Sequence, residues 1–90
     1  MLQTITITVS GKVQGVFYRQ STKDIALKLG IKGYVKNMDN GDVYIKATAT
    51  KELLDQFCEY CKTGPPKAIV QSILITEVPL EEFKTFKIEQ

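Results

Sequence analysis

A glycine-containing loop that ends in an arginine is the part of this sequence best suited to chemistry. It runs from Gly11 to Arg19 and contains a second glycine, Gly15. Between a strand and a helix, such a loop points several backbone N–H groups one way, and the helix dipole adds partial positive charge. Arg19 adds a fixed charge and a planar set of donors that fits phosphate oxygens. The loop therefore predicts a phosphate site, although it matches neither the nucleotide P-loop nor the dinucleotide-binding pattern.

The hydropathy pattern predicts the elements that position this loop. Alternation of apolar and polar residues predicts strands at 4–9, 33–37, 43–47, 68–78 and 83–88, and helical spacing predicts helices at 20–29 and 51–62. This order favours one domain over residues 1–90 with an α+β fold, a ferredoxin-like βαββαβ split sandwich. Both helices would cover one face of an antiparallel sheet with a short fifth strand. The other face would meet water through Thr4, Thr6, Thr8, Tyr44, Lys46 and Thr48.

This topology brings separate parts of the sequence to one edge of the sheet. The first and second strands run parallel with the third between them, so their carboxyl ends share an edge. The glycine loop, the start of the first helix and Asn37 at the end of the second strand therefore converge there. Taken alone, an arginine at a helix start is usually solvated, and an asparagine before a turn usually serves the turn. The convergence indicates a site without assigning its chemistry.

The composition excludes several other kinds of site. The 90-residue chain has a net charge of +2, no histidine, and two cysteines, Cys58 and Cys61. Without histidine, no Ser–His or Cys–His nucleophile pair can form, and two thiols are too few ligands for zinc. Because the cysteines lie near the end of a predicted helix, where its dipole disfavours a thiolate, we expect structural thiols. We expect no nucleic-acid or membrane partner, and the alternating N-terminus predicts a cytoplasmic protein rather than a secreted one.

Three segments together resemble the acylphosphatase family. Residues 9–19 are similar to the family signature GxVQGVxFR, residues 33–43 to the second signature GxVxNxxxGxV, and residues 64–68 to the stretch GPPxA. The order and spacing match over almost the whole chain. Two departures stand out, because Tyr18 replaces the usual Phe or Met and Ala49 replaces the glycine that usually ends the second signature.

The resemblance implies a function and a set of site residues. Arg19 and Asn37 correspond to the family's catalytic residues. The implied reaction is metal-independent and cofactor-free hydrolysis of acyl phosphates, including carbamoyl phosphate, by a monomer acting on a small-molecule substrate. Asn37 would hold the attacking water in line with phosphorus. Backbone N–H groups of the loop would bind the phosphate together with Arg19, and these belong to Gln14, Gly15, Val16, Phe17 and Tyr18.

Other functions remain open on the same scaffold. A non-catalytic phosphate-binding module would keep Arg19 and the loop, but binding alone does not need Asn37. An RNA-binding domain would carry several aromatic and basic residues on the open sheet face, where the pattern predicts threonines and one tyrosine, Tyr44. A domain of this family can also be part of a carbamoyl-transferring maturation enzyme. The length of 90 residues favours a free-standing domain over this alternative.

Overall fold

Seven elements follow one another in the predicted order in the computed structural model, which describes residues 1–89. The strands are β1 (Leu2–Lys12), β2 (Lys32–Asn37), β3 (Val43–Thr50), β4 (Ile69–Val78) and β5 (Phe86–Glu89). The helices are α1 (Tyr18–Leu29) and α2 (Lys51–Thr63). The predicted split sandwich is confirmed, although β5 begins at Phe86 rather than at Phe83. Within residues 1–89, neither helix is long and apolar enough to span a bilayer.

The five strands form one sheet in the order β4-β1-β3-β2-β5. Strand β3 pairs antiparallel with both β1 and β2, which therefore run parallel to each other on either side of it. Strand β4 adds antiparallel to β1, and β5 adds parallel to β2. The expected antiparallel sheet is thus correct for four strands, and the fifth makes the sheet mixed.

The helices bury one apolar face each against the sheet. Thr50 caps α2 by accepting a hydrogen bond from the backbone N–H of Leu53, and Gly30 ends α1 in a left-handed conformation with φ of 77°. Burying a large apolar side chain such as Phe57 contributes about 1.5–3 kcal/mol, so this face fixes how α2 lies on the sheet. The buried face of α2 consists of Leu54, Phe57, Cys58 and Cys61.

The two cysteines are free and buried within this core. Burial raises the pKa of the Cys61 thiol to about 12, and it also raises the pKa of Cys58 above its ordinary value. The thiolate is the reactive form of cysteine, so both side chains stay protonated at neutral pH. This agrees with the expectation that they are structural thiols.

The face of the sheet opposite the helices is partly covered, which corrects the expectation that Thr4 and Thr48 meet water; Thr6 and Thr8 are only half-buried. Thr4 and Thr48 are only 1% and 6% exposed, and their hydroxyl groups share a hydrogen bond of 2.7 Å. The backbone of Glu81 donates to Thr4 and accepts from Thr48. Because β4 and β5 lie at opposite edges, residues 79–85 must cross the sheet, and they cross over this face. Alternation along a strand cannot reveal such a crossing.

Candidate active site

The sheet topology brings the glycine loop and Asn37 to the same edge. Strand β1 leads into the loop at residues 13–17, and Asn37 is the last residue of the parallel strand β2. A register shift against β4 between Ser10 and Gly11 bends the end of β1. Gly11 has φ of 127°, and a Cβ there would collide with the carbonyl oxygen of Ile69. A glycine is therefore required where the strand turns into the loop.

The loop ends in a tight left-handed turn that opens α1. Phe17 is the N-cap, with φ of 65° and ψ of 20°, and it is the one non-glycine residue with positive φ among residues 1–89. No side chain among residues 1–89 caps the N-terminus of α1 with a hydrogen bond, and the first turn of α1 contains no acidic residue. The backbone N–H groups at the start of α1 are therefore available to an anion, and the helix dipole favours one there.

A cavity of about 370 Å³ opens at this point. This volume is at the small end of the range for ligand pockets in proteins. Arg19 is the one charged residue in its lining, and it takes part in none of the ion pairs between residues 1–89. The full lining consists of Val13, Gly15, Phe17, Tyr18, Arg19, Gln20, Asn37 and Ile88.

Asn37 lines the cavity, and its side chain holds an amide oxygen without a partner. Its Oδ1 atom is buried and has no hydrogen-bond partner within the described chain. Leaving a buried polar atom without a partner costs about 1–3 kcal/mol, so this amide oxygen needs a donor from solvent or ligand. A water molecule can donate to it while directing its own lone pair elsewhere. Asn37 also borders a more open groove along residues 36–40.

Gln14 connects the loop to the hairpin that carries Asn37. Its side-chain Nε2 donates to the carbonyl oxygens of Met38, at 2.8 Å, and Asp42, at 2.9 Å. These two residues close the turn between β2 and β3, where the N–H of Met38 donates to Asp42 at 2.8 Å. The sequence predicts a backbone role for Gln14 and misses this side-chain contact. The position of Gln14, two residues after β1 and opposite the turn, is the only feature that could have indicated this hydrogen bond.

For the acyl phosphate hydrolysis that the family resemblance implies, we expect replacement of Gln14 by methionine to lower kcat about 10–100-fold while inhibition by inorganic phosphate changes little. Methionine keeps the length of the side chain and removes both donors, so the loop and Asn37 lose their common alignment. A displacement of about 1 Å between reacting groups can reduce the rate by about 10²-fold. Steady-state kinetics with phosphate as a competitive inhibitor measures both quantities. Unchanged kcat with weakened phosphate binding would show that Gln14 acts on the loop alone.

Tyr18 anchors the start of α1 from inside the core. Its ring is buried, its hydroxyl donates to the carbonyl oxygen of Cys61 at 2.6 Å, and burial raises its pKa well above the ordinary value. A Cβ on Gly64 would lie 2.6 Å from this ring, so Gly64 leaves the space that the tyrosine fills. The hydroxyl that distinguishes Tyr18 from the usual family residue thus ties α1 to α2.

The structure separates the predicted phosphate-binding residues into two groups. Four of them line the cavity, namely Gly15, Phe17, Tyr18 and Arg19. Gln14 turns its side chain to the hairpin, and the Val16 side chain is buried in the core, so only their backbone groups remain available for an anion. Lys36 lies outside the cavity, with its Nζ atom 5.7 Å from the centroid of the Tyr44 ring. The individual roles of these residues stay predictions.

Comparison with known proteins gives consistent matches over nearly the whole chain. The family model described as Acylphosphatase matches residues 5–88. An acylphosphatase of Vibrio parahaemolyticus is 48% identical over 80 residues, which are 89% of this chain and 89% of the relative. The crystal structure of acylphosphatase from Bacillus subtilis aligns with a TM-score of 0.95 at 38% identity, covering 100% of both chains. An acylphosphatase structure from Coxiella burnetii aligns with a TM-score of 0.94 at 36% identity, covering 98% of this chain and 93% of that one.

Proposed function

This chain belongs to the acylphosphatase family and hydrolyses the carboxyl–phosphate bond of acyl phosphates, and we propose that Arg19 and Asn37 perform this reaction. One observation carries the assignment of residues: Arg19, the one charged residue among residues 1–89 in the lining, and Asn37, whose amide oxygen lacks a partner there, line the same space of about 370 Å³. Arg19 binds the phosphate, and Asn37 holds the attacking water. Small acyl phosphates and carbamoyl phosphate are the substrates.

The phosphate binds at the start of α1. Backbone N–H groups of residues 14–18 and the guanidinium of Arg19 donate to its oxygens. The uncapped helix and its first turn without acidic residues support this, because no carboxylate competes with or repels the phosphate. Charge-assisted hydrogen bonds from an arginine are about twice as strong as neutral ones. These donors supply the positive field that metal ions supply in kinases, so the reaction needs no metal or other cofactor.

Asn37 positions the nucleophile. Its Oδ1 accepts a hydrogen bond from a water molecule, and the water oxygen attacks phosphorus in line with the acyl oxygen. The bond between phosphorus and that oxygen breaks, and its electron pair leaves with the carboxylate. One water proton passes to a phosphoryl oxygen of the substrate, so the products are a carboxylate and dihydrogen phosphate. A carboxylate leaves readily, and for this reason positioning and electrostatics suffice without a basic side chain.

The proposal extends to the domain organisation, location and partners of the protein. We propose that residues 1–90 act as one domain, as a cytoplasmic monomer with no nucleic-acid partner. The segment Leu2–Lys12 is an inner strand of the sheet, paired with both β3 and β4, which supports one domain that includes it.

The proposed function is tested by hydrolysis of benzoyl phosphate by the purified protein in the presence of EDTA. We expect turnover at a rate typical of enzymes, about 1–10³ s⁻¹, with no loss on chelation. Loss of activity in EDTA that Mg²⁺ restores would contradict the metal-independent mechanism. A folded protein that binds phosphate without hydrolysing the substrate would instead be the phosphate-binding module.

A further inference from the structure

Phe17 combines two features that are unfavourable for an ordinary surface residue. Its side chain is 77% exposed, whereas Phe57 and Phe86 are buried in the core. Its backbone is left-handed, which is a strained conformation for a bulky residue and one that glycine or asparagine adopts more easily. It also occupies a helix N-cap, where side chains that accept a hydrogen bond are preferred. Folding alone gives no reason for phenylalanine here.

The position of this side chain supplies a reason. Phe17 lines the cavity that contains Arg19 and Asn37, and two other apolar residues, Val13 and Ile88, line the same cavity. Arg19 provides its single charge. The cavity thus has a charged part, suited to the phosphate, and an apolar part beside it. An acyl phosphate has the same division, because its phosphate is charged and its acyl chain need not be.

We propose that the Phe17 ring forms an apolar wall that binds the acyl group, so that acyl phosphates with an aromatic or extended apolar acyl group are preferred over acetyl phosphate. This rests on the proposed function, which fixes the phosphate on Arg19 and directs the acyl group toward the mouth of the cavity. An aromatic ring offers a flat surface to another ring, and such pairs add to the free energy of binding beyond the area they bury. An acetyl group is too small to reach much of this surface.

The test compares kcat/KM for benzoyl phosphate and acetyl phosphate in the wild type, Phe17→Asn and Phe17→Leu. Asparagine suits the left-handed backbone and the N-cap but removes the ring, and leucine keeps an apolar side chain. We expect the ratio of the benzoyl to the acetyl value to fall about 10-fold in Phe17→Asn, mainly through KM for benzoyl phosphate. In Phe17→Leu the ratio should stay within about threefold of the wild type.

The ratio of the benzoyl to the acetyl kcat/KM tests the acyl-binding role of Phe17 separately from the proposed hydrolytic function. A fall of less than fivefold in the ratio for Phe17→Asn overturns the proposal, because the ring then contributes too little to determine which acyl phosphate is preferred. An equal fall in both variants also overturns it, because leucine preserves an apolar surface. If the wild type hydrolysed neither substrate, the proposed function itself would fail. Thermal unfolding of Phe17→Asn should occur at the wild-type temperature or above it, which excludes misfolding as the cause.

Discussion

Replacing Arg19 with alanine is expected to lower kcat/KM for benzoyl phosphate by about 10³–10⁵-fold. Arg19 is the one charged residue among residues 1–89 in the cavity lining, so its loss leaves only uncharged donors to the phosphate. Ground-state binding should weaken as well, because in the proposed mechanism the same side chain contacts the phosphate before and during the reaction. Inhibition by inorganic phosphate measures that binding, and it should become much weaker in the variant.

Two control variants make this result specific. Lys36→Ala removes a nearby cation whose Nζ lies near the Tyr44 ring and outside the cavity, and we expect little change beyond the salt dependence. Arg19→Lys keeps the charge and removes the planar set of donors, so its activity should fall between those of the wild type and the alanine variant. Activity of Arg19→Ala within tenfold of the wild type would show that Arg19 is not the phosphate clamp.

Replacing Asn37 with alanine is expected to lower kcat by at least about 10²-fold while phosphate inhibition stays near its wild-type value. Asn37 lines the cavity and its buried amide oxygen lacks a partner among residues 1–89; alanine removes this oxygen without changing a residue of the loop. The attacking water is then no longer held in line with the scissile bond. This split between turnover and binding distinguishes Asn37 from Arg19, whose loss affects both.

Asn40→Ala is the matched control in the same hairpin. Asn40 is exposed and bonds only to Asp42, with its Oδ1 accepting from the Asp42 N–H at 3.0 Å. Removing it disturbs the turn without reaching the cavity, so kcat should change by a small factor. If Asn40→Ala reduced kcat as much as Asn37→Ala, distortion of the hairpin would account for both results. Near-normal turnover in Asn37→Ala would disprove the water-holding role.

Much of the fold could be predicted because the pattern of residues is local. Several local signals each specify a short segment. They are the alternation over residues 4–9 and 43–47, the Asn40-Gly41 turn and the glycine that ends α1. Those segments, taken in order, allow few topologies, and the one expected brings the loop and Asn37 to one edge. The family signatures then assigned roles to two residues that the pattern alone could not.

The features that escaped prediction depend on contacts between distant segments. Thr4 and Thr48 alternate like exposed residues, but the backbone of Glu81, which is 77 residues from Thr4, covers them. The bond from Gln14 to the hairpin joins residues 24 and 28 positions apart. No local periodicity reports such contacts. The exposure and the left-handed backbone of Phe17 also escaped prediction, because phenylalanine is usually buried and rarely adopts positive φ.

The interleaved strand order also governs how the protein acquires its activity. Among the strand pairs of residues 1–89, only β2 and β3 are neighbours in sequence, while β1, β4 and β5 each join the sheet by closing a long loop. Long loops close at an entropic cost before their contacts form, which slows folding. Arg19 lies at the start of the helix that follows β1, and Asn37 ends β2. Because β1 and β2 flank β3 in the sheet, the two residues meet only after β1 has added to the hairpin. A partly folded chain therefore lacks the proposed catalytic site, and we expect recovery of turnover during refolding to follow assembly of the sheet.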